Sequence, residues 1–116
     1  MKGGGFDPDA LTGDELVRLL AALSNPHRLR ILAALQGGRV HVSQLARDVG
    51  LSRPLVHVHL QRLEAVGLVS GHLELSEEGK AMKFFEVEPF ALSLTPEAVA
   101  EAAQTLSAAP TKEEEQ

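Results

Sequence analysis

Two short helix-like segments in the middle of the chain are separated by only three residues, and this spacing constrains the fold more than any other feature. The first segment runs over 44–49, and Gly50 is a natural stop because glycine readily adopts the left-handed conformation. The second lies within SRPLVHVHLQRLEAVGLV: Ser52 serves as its N-cap, Pro54 is tolerated in its first turn, and Gly67 ends it. Two short amphipathic helices joined by a glycine-bearing link predict a helix-turn-helix.

The other segments predict a mainly α-helical fold with a small β-hairpin and about five helices. Thr12 and Glu15 have the spacing of a capping box, with Leu11 and Leu16 placed as a hydrophobic staple, so the first helix runs from there to about residue 23. Asn25-Pro26 begins a second helix, whose buried face is expected to include Leu29, Ile31, Leu32 and Leu35. Residues 40–42 form a short strand or an extended link, 68–75 and 81–88 form the hairpin, and Thr95-Pro96-Glu97 begins the last helix.

Composition sets the boundaries of the domain and the class of protein. Residues 1–11, with three consecutive glycines, are predicted to be a flexible N-terminal arm, 12–109 a single domain, and 110–116 an acidic disordered tail. The chain contains no cysteine, which excludes disulfides, thiolate metal ligands and cysteine nucleophiles. It shows no signal peptide and no apolar run long enough to cross a bilayer, so a soluble cytoplasmic protein is expected.

Charge is unevenly distributed along the chain. The formal net charge is −5, but residues 26–66 contain six arginines against only Asp48 and Glu64. Residues 67–116 contain three lysines against ten glutamates. A local basic surface on an acidic protein can still bind phosphate. We therefore expect these six arginines to gather on one surface that lies against a nucleic acid.

The outer face of the helix after Ser52 carries side chains of the types that can contact DNA bases. A helix of this kind fits the major groove, where arginine recognises guanine and glutamine recognises adenine. Serines at helix starts can bind phosphate, and Ser43 is predicted to cap the helix that begins at Gln44. For any one of these side chains alone a solvated surface is the simpler interpretation. The predicted DNA-binding residues are Ser43, Gln44, Ser52, Arg53, Pro54, His57, Gln61, Arg62 and, in the hairpin turn, Lys80.

Two stretches resemble the ArsR/SmtB family of winged-helix regulators. ALSNPHRLRIL, residues 22–32, resembles the family signature Leu-x-Asp/Asn-Pro-x-Arg-Leu-x-Ile-Leu. LSRPLVHVHLQRL, residues 51–63, resembles its recognition helix, Ser-x-x-x-Val-x-x-His-Leu-x-x-Leu, and Gly67-Leu68-Val69 matches the entry to the wing. The resemblance covers about residues 14–106. It implies a winged helix-turn-helix transcriptional regulator rather than an enzyme.

The same resemblance implies a homodimer that binds a pseudo-palindromic operator, with the first and last helices at the dimer interface. Apolar stripes on both helices suit that role, although such stripes also form ordinary intramolecular core. The predicted interface residues are Leu16, Leu19, Leu20, Leu23, Val99, Ala102, Ala103 and Leu106.

Many members of the family sense metal, but the usual ligand sets are absent from this sequence. There is no cysteine, and residues 95–109 contain no His or Asp. His72 and Glu74, two apart on a predicted strand, share one face and are weak candidates for a Ni(II), Co(II) or Zn(II) site, against the simpler interpretation of a solvated strand. His59 is expected at the core edge, His57 facing DNA, and His27 and His41 in solvent.

Two alternatives remain open from the sequence. The hairpin is rich in glutamate, which would repel phosphate, so the domain could be a protein-interaction module with weak DNA affinity, or a regulator whose sensing function resides in a partner protein. An enzyme using Ser43 or Ser52 with a histidine is disfavoured, because both serines are explained as caps and no pocket motif accompanies them.

Overall fold

The computed structural model describes residues 11–107, which form five helices and one three-stranded sheet. The predicted acidic tail, and the predicted arm apart from Leu11, lie outside the described residues. Leu11 is partly buried against the core. In chain order the elements are α1 (Gly13–Leu23), α2 (Pro26–Leu35), β1 (Val40–His41), α3 (Val42–Val49), α4 (Arg53–Ala65), β2 (Val69–Leu75), β3 (Ala81–Val87) and α5 (Pro96–Ala103).

The starts of α1, α2 and α4 confirm the predicted caps. The Thr12 hydroxyl accepts from the Glu15 amide at 3.1 Å, and the Glu15 carboxylate accepts from the Thr12 amide at 3.0 Å, which completes the capping box. The Asn25 side chain accepts from the amides of residues 27 and 28. The Ser52 hydroxyl accepts from the Leu55 amide. Each such cap stabilises its helix by about 1 kcal/mol.

The start of α3 differs from the prediction, because His41 rather than Ser43 is its N-cap. Val40 and His41 pair with Phe85 and Phe84 of β3, and this pairing holds His41 in extended conformation. The chain then turns directly into α3 at Val42, and the His41 ring accepts from the Gln44 amide at 3.4 Å. Ser43 therefore lies inside the first turn, and His41 is structural rather than solvated as predicted.

The hairpin is confirmed and forms one side of an antiparallel sheet with strand order β1-β3-β2. Side chains alternate between its two faces. Phe85 points into the core, whereas its neighbour Phe84 lies on the outer face between His41 and His72, its partners on the two flanking strands.

The core joins the first four helices to β2 and β3 and is almost entirely aliphatic. Its fully buried side chains are Ile31, Leu35, Leu45, Val56, Leu60, Leu63 and Leu68. The prediction that Leu29 is buried is wrong: its side chain is 52% exposed, since it lies about 200° around α2 from Ile31. No helix in residues 11–107 is long and apolar enough to cross a membrane.

Candidate nucleic-acid interface

Helices α3 and α4 form the helix-turn-helix. Gly50 ends α3 with φ 72° and ψ 32°, and the amides of Gly50 and Leu51 both donate to the Ala46 carbonyl. Each helix buries one face, α3 through Leu45 and α4 through the Val56, Leu60 and Leu63 stripe. The opposite face of α4 is thereby left exposed over its whole length.

That exposed face carries most of the predicted reading residues. Ser52, Arg53, Pro54, His57, Gln61 and Arg62 are all exposed. Arg53 lies at the edge nearest α3, and its guanidinium donates to the Ser43 hydroxyl at 3.1 Å. The structure therefore brings Ser43 and Arg53 together, one from each helix of the motif.

The exposed side of α3 carries a second set of hydrogen-bonded polar side chains. The Arg47 guanidinium donates to the Gln44 side-chain oxygen at 2.7 Å, and the Gln44 side-chain nitrogen donates to Asp48 at 2.8 Å. Arg47 was not singled out from the sequence. Its position one turn after Gln44 on the same helix face could have indicated it.

The expectation that all six arginines gather on one surface is corrected. Arg47 and Arg53 lie on the helix-turn-helix and Arg62 on the exposed part of α4, but the guanidinium of Arg28 binds the end of α1. Arg39 binds Glu74 at 2.8 Å and lies over the Phe84 ring, 4.9 Å from its centroid. Tertiary contacts decide which arginines remain available to bind a nucleic acid. The distribution of charge along the sequence does not show these contacts.

The hairpin holds the candidate metal pair in a hydrogen-bonded network. His72 and Glu74 are 2.9 Å apart, and Arg39 donates to the other carboxylate oxygen. The hydrogen bond from His72 and then the Arg39 guanidinium lower the pKa of Glu74. Between residues 11 and 107 no group of three His, Cys, Asp or Glu is placed to hold a metal. The pair thus fits a Ni(II) or Zn(II) site poorly, since these ions take four or more ligands and Arg39 occupies the same carboxylate.

The predicted dimer residues divide into two groups. Leu19 is only 2% exposed and belongs to the core, and Leu16 and Ala102 are also covered within the chain, so these three leave little surface for a partner. Leu23 is partly buried. Leu20, Val99, Ala103 and Leu106 are exposed, and so is Val17, which the sequence stripe did not include. Leu106 lies beyond the end of α5, which stops at Ala103.

Known proteins with similar sequences are also helix-turn-helix regulators. Residues 25–71 match the family model described as "Bacterial regulatory protein, arsR family". An uncharacterised HTH-type transcriptional regulator of Methanocaldococcus jannaschii is 37% identical over 76 residues, covering 66% of this chain and 79% of that protein. The HTH-type transcriptional regulator CmtR of Mycobacterium tuberculosis is 48% identical over 54 residues, covering 47% of this chain and 46% of CmtR.

Two solved structures are similar to this chain in fold. One is the homodimeric winged helix-turn-helix DNA-binding domain of a possible ArsR-family transcriptional regulator from Mycobacterium bovis, with TM-score 0.54, 27% identity and 64% coverage of both chains. The other is NolR from Sinorhizobium fredii, with TM-score 0.55, 25% identity, and coverage of 78% of this chain and 80% of NolR.

Proposed function

The chain belongs to the ArsR family of winged helix-turn-helix transcriptional regulators, and on that premise we propose that it binds a pseudo-palindromic DNA operator as a homodimer and reads the sequence with α4. Family membership also confirms the prediction that the protein is a regulator rather than an enzyme.

One observation carries the proposal: α4 buries its aliphatic stripe and leaves Arg53, His57 and Gln61 exposed, with Arg53 bound to Ser43 of α3. An α-helix with this arrangement can enter the major groove with those side chains toward the base edges. Arg53 is oriented by Ser43 before any ligand arrives, which lowers the entropy lost when its guanidinium is fixed on a base. Gln44, Ser52, Pro54, Arg62 and, from the hairpin turn, Lys80 complete the proposed DNA-binding set.

The dimer part of the proposal rests on an exposed apolar surface shared by α1 and α5. The two helices pack against each other, and each leaves aliphatic side chains exposed: Val17 and Leu20 on α1, Val99 on α5 and Leu106 just after it. Several exposed aliphatic side chains on two packed helices favour an interaction surface. We propose that a second copy of the chain covers this surface, since the similar Mycobacterium bovis domain is a homodimer. Leu19, Leu16 and Ala102 would support this surface from beneath.

The second candidate, a protein-interaction module with weak DNA affinity, is supported by the exposed Glu77 and Glu78 in the hairpin turn. Salt dependence distinguishes the two functions. A DNA binder releases about 0.9 counterions for each phosphate it contacts, so its affinity falls steeply with salt. A duplex is first enriched from a random-sequence pool by the protein itself. We expect a steep salt slope on this duplex, and a flat one would favour the interaction module.

The reading role of α4 is tested with Arg53→Ala on the same duplex. Loss of one good base contact, worth about 1–3 kcal/mol, weakens binding roughly 5- to 150-fold and relaxes specificity at one position of each half-site. Arg18→Ala is the matched control, since it removes the same charge from an exposed position on α1 and should change affinity by no more than about twofold. Equal effects of the two variants would remove Arg53 from the reading role.

A metal response is a separate part of the proposal. Ni(II) or Zn(II) would act through ligands other than His72 and Glu74 alone, or through a sensing partner protein. Operator binding titrated with each ion, with and without a chelator, tests this. If His72→Ala abolished the effect of an ion on operator binding, this part of the proposal would be overturned, and His72 and Glu74 would be the metal site.

A further inference from the structure

The guanidinium of Arg28 joins three helices. Its Nε donates to the Ala22 carbonyl at 2.6 Å and Nη2 to the Ala21 carbonyl at 3.3 Å, both in the last turn of α1. Its Nη1 lies 3.2 Å from Nδ1 of His59 on α4. The last carbonyls of a helix have no partner within the helix and carry partial negative charge, so a cation is well placed there. Arg28, on α2, thus connects the end of α1 to the middle of α4.

The protonation state of His59 follows from this geometry. A guanidinium can only donate hydrogen bonds, so Nδ1 of His59 must be the unprotonated nitrogen, and Nε2 carries the hydrogen. The next proton that the ring accepts therefore has to bind at Nδ1. That proton would abolish the hydrogen bond from Arg28 and place a second positive charge about 3 Å from the guanidinium.

The surroundings of His59 oppose that proton. Burial lowers the pKa of His59 from its ordinary value of 6.5, and the positive charge of Arg28 lowers it further, followed by His27 and Arg62. The His27 ring lies 5.5 Å from the His59 ring, and its Nδ1 is buried without a hydrogen bond within residues 11–107. The groups on α2 and α4 that act on His59 are thus basic or neutral, and α1 contributes carbonyls to Arg28 rather than a charge.

We propose that Arg28 and His59 form a positioning contact that holds the reading helix α4 against the end of α1, and that protonation of His59 releases it and weakens operator binding. The inference rests on the proposed function, because it gives α4 the reading role and α1 the dimer surface. In a dimer the distance between the two reading helices must match the half-site spacing of the operator. A contact that sets α4 relative to α1 therefore sets that distance.

The direction of the pH effect distinguishes this contact from ordinary electrostatics. Protonation of a histidine that faces DNA adds positive charge next to the phosphates and strengthens binding as the pH falls. Release of the Arg28–His59 contact acts in the opposite direction. We expect the affinity of the wild-type protein for the selected duplex to fall between pH 7.5 and pH 5.5, but by less than about tenfold, because a His59 pKa below 6.5 leaves part of the His59 rings unprotonated at pH 5.5.

His59→Asn is the decisive variant, because its amide oxygen can accept from Arg28 at any pH and does not titrate. We expect it to bind within about threefold of wild type at pH 7.5 and to lose the decrease on acidification. His57→Asn, on the exposed side of the same helix, should keep that decrease. A decrease that persists in His59→Asn, or a flat profile in the wild-type protein, would overturn the inference.

An NMR titration of the free protein tests the contact without DNA. The pKa of His59 should lie below 6.5 in the wild-type protein and rise in Arg28→Met, which retains the length of the side chain but removes the charge. An unchanged His59 pKa in that variant would show that the contact does not exist. Failure to bind any selected duplex at either pH would refute the proposed function, whereas binding that ignores pH would refute only this inference.

Discussion

Replacing Gly13 with alanine should destabilise the protein, although alanine is ordinarily the better helix residue. Gly13 is the first residue of α1 and is buried against α5. A Cβ at this position would lie 2.5 Å from the Ala102 carbonyl oxygen and 2.7 Å from the Leu106 side chain. The Leu106 side chain can rotate away because it is half exposed. The carbonyl belongs to the backbone of α5, so the whole helix has to move.

The magnitude follows from three contributions. Forcing an extra methyl into a packed contact costs about 1–3 kcal/mol. Moving α5 also disturbs a hydrogen-bonded chain in which the Gly13 amide donates to the Thr105 hydroxyl at 2.7 Å and that hydroxyl donates to the Ala102 carbonyl at 2.9 Å. Each such bond contributes about 1 kcal/mol. Higher helix propensity offsets at most about 1 kcal/mol, so the net loss is about 2 kcal/mol.

Thermal unfolding at a fixed protein concentration measures this loss. About 2 kcal/mol corresponds to a decrease in Tm of about 8–16 °C for a domain of this size. Gly37→Ala is the matched control: the position has open space around it and no positive φ, so its Tm should stay within about 2 °C of wild type. A Gly13→Ala protein as stable as Gly37→Ala would mean that α5 does not pack on α1 as described. Sedimentation should also show weaker dimers in Gly13→Ala, since α5 carries half of the proposed interface.

Three further predictions concern the interface, the caps and the metal. Val99→Glu places a charge in the proposed dimer surface and should give monomers by sedimentation. Gln104→Glu, on the polar side of the same segment, is the control and should leave the dimer intact. If Val99→Glu still formed dimers, the dimer interface would have to lie on another surface. Asn25→Ala removes the acceptor for two amides and should lower the free energy of unfolding by about 1–2 kcal/mol in urea. An unchanged free energy of unfolding would show that Asn25 does not stabilise α2 as a cap. Isothermal titration of the free protein with Zn(II) should give the same result for wild type and His72→Ala, and a loss of binding in the variant would restore the hairpin pair as a ligand site.

Local sequence patterns predicted most of the elements. Four of the five helix starts follow from caps that act within four residues: Thr12, Asn25, Ser52 and Thr95. The hairpin followed from strand composition and a turn glycine. These signals require no knowledge of the rest of the chain, and the structure confirms them.

The errors arise where a distant residue decides the outcome. His41 caps α3 because β1 pairs with β3, more than forty residues later, and the intervening sequence gives no sign of that pairing. Arg28 and Arg39 leave the presumed basic surface because a helix end and a carboxylate bind them. Leu19 and Leu20 are adjacent in one apolar stripe, yet only Leu20 remains accessible to a partner. Periodicity identifies an apolar face but does not tell which neighbour covers each part of it.

The acidic hairpin is compatible with DNA binding once the local pairing of charges is considered. Glu74 is bound by Arg39 and His72, so its carboxylate is largely compensated, and Lys80 stands exposed at the turn. Glu74→Gln should release Arg39 from its ion pair and remove one negative charge from the hairpin. If the hairpin lies along the operator, binding should become about two- to fivefold tighter, as for one screened surface charge.

Glu97→Gln is the control for Glu74→Gln, because it removes an equal charge from α5, whose main contacts are with α1. Equal affinities of the two variants would place the hairpin away from DNA and favour a partner protein on that side. The pKa of Glu74 is lowered in the folded state, so its interactions stabilise the fold above its ordinary pKa of 4.5 and are lost as the pH falls through the lower folded value. Affinity should therefore be compared near pH 7.5, far above the folded pKa of Glu74, so that the difference between the variants reports on where the hairpin lies.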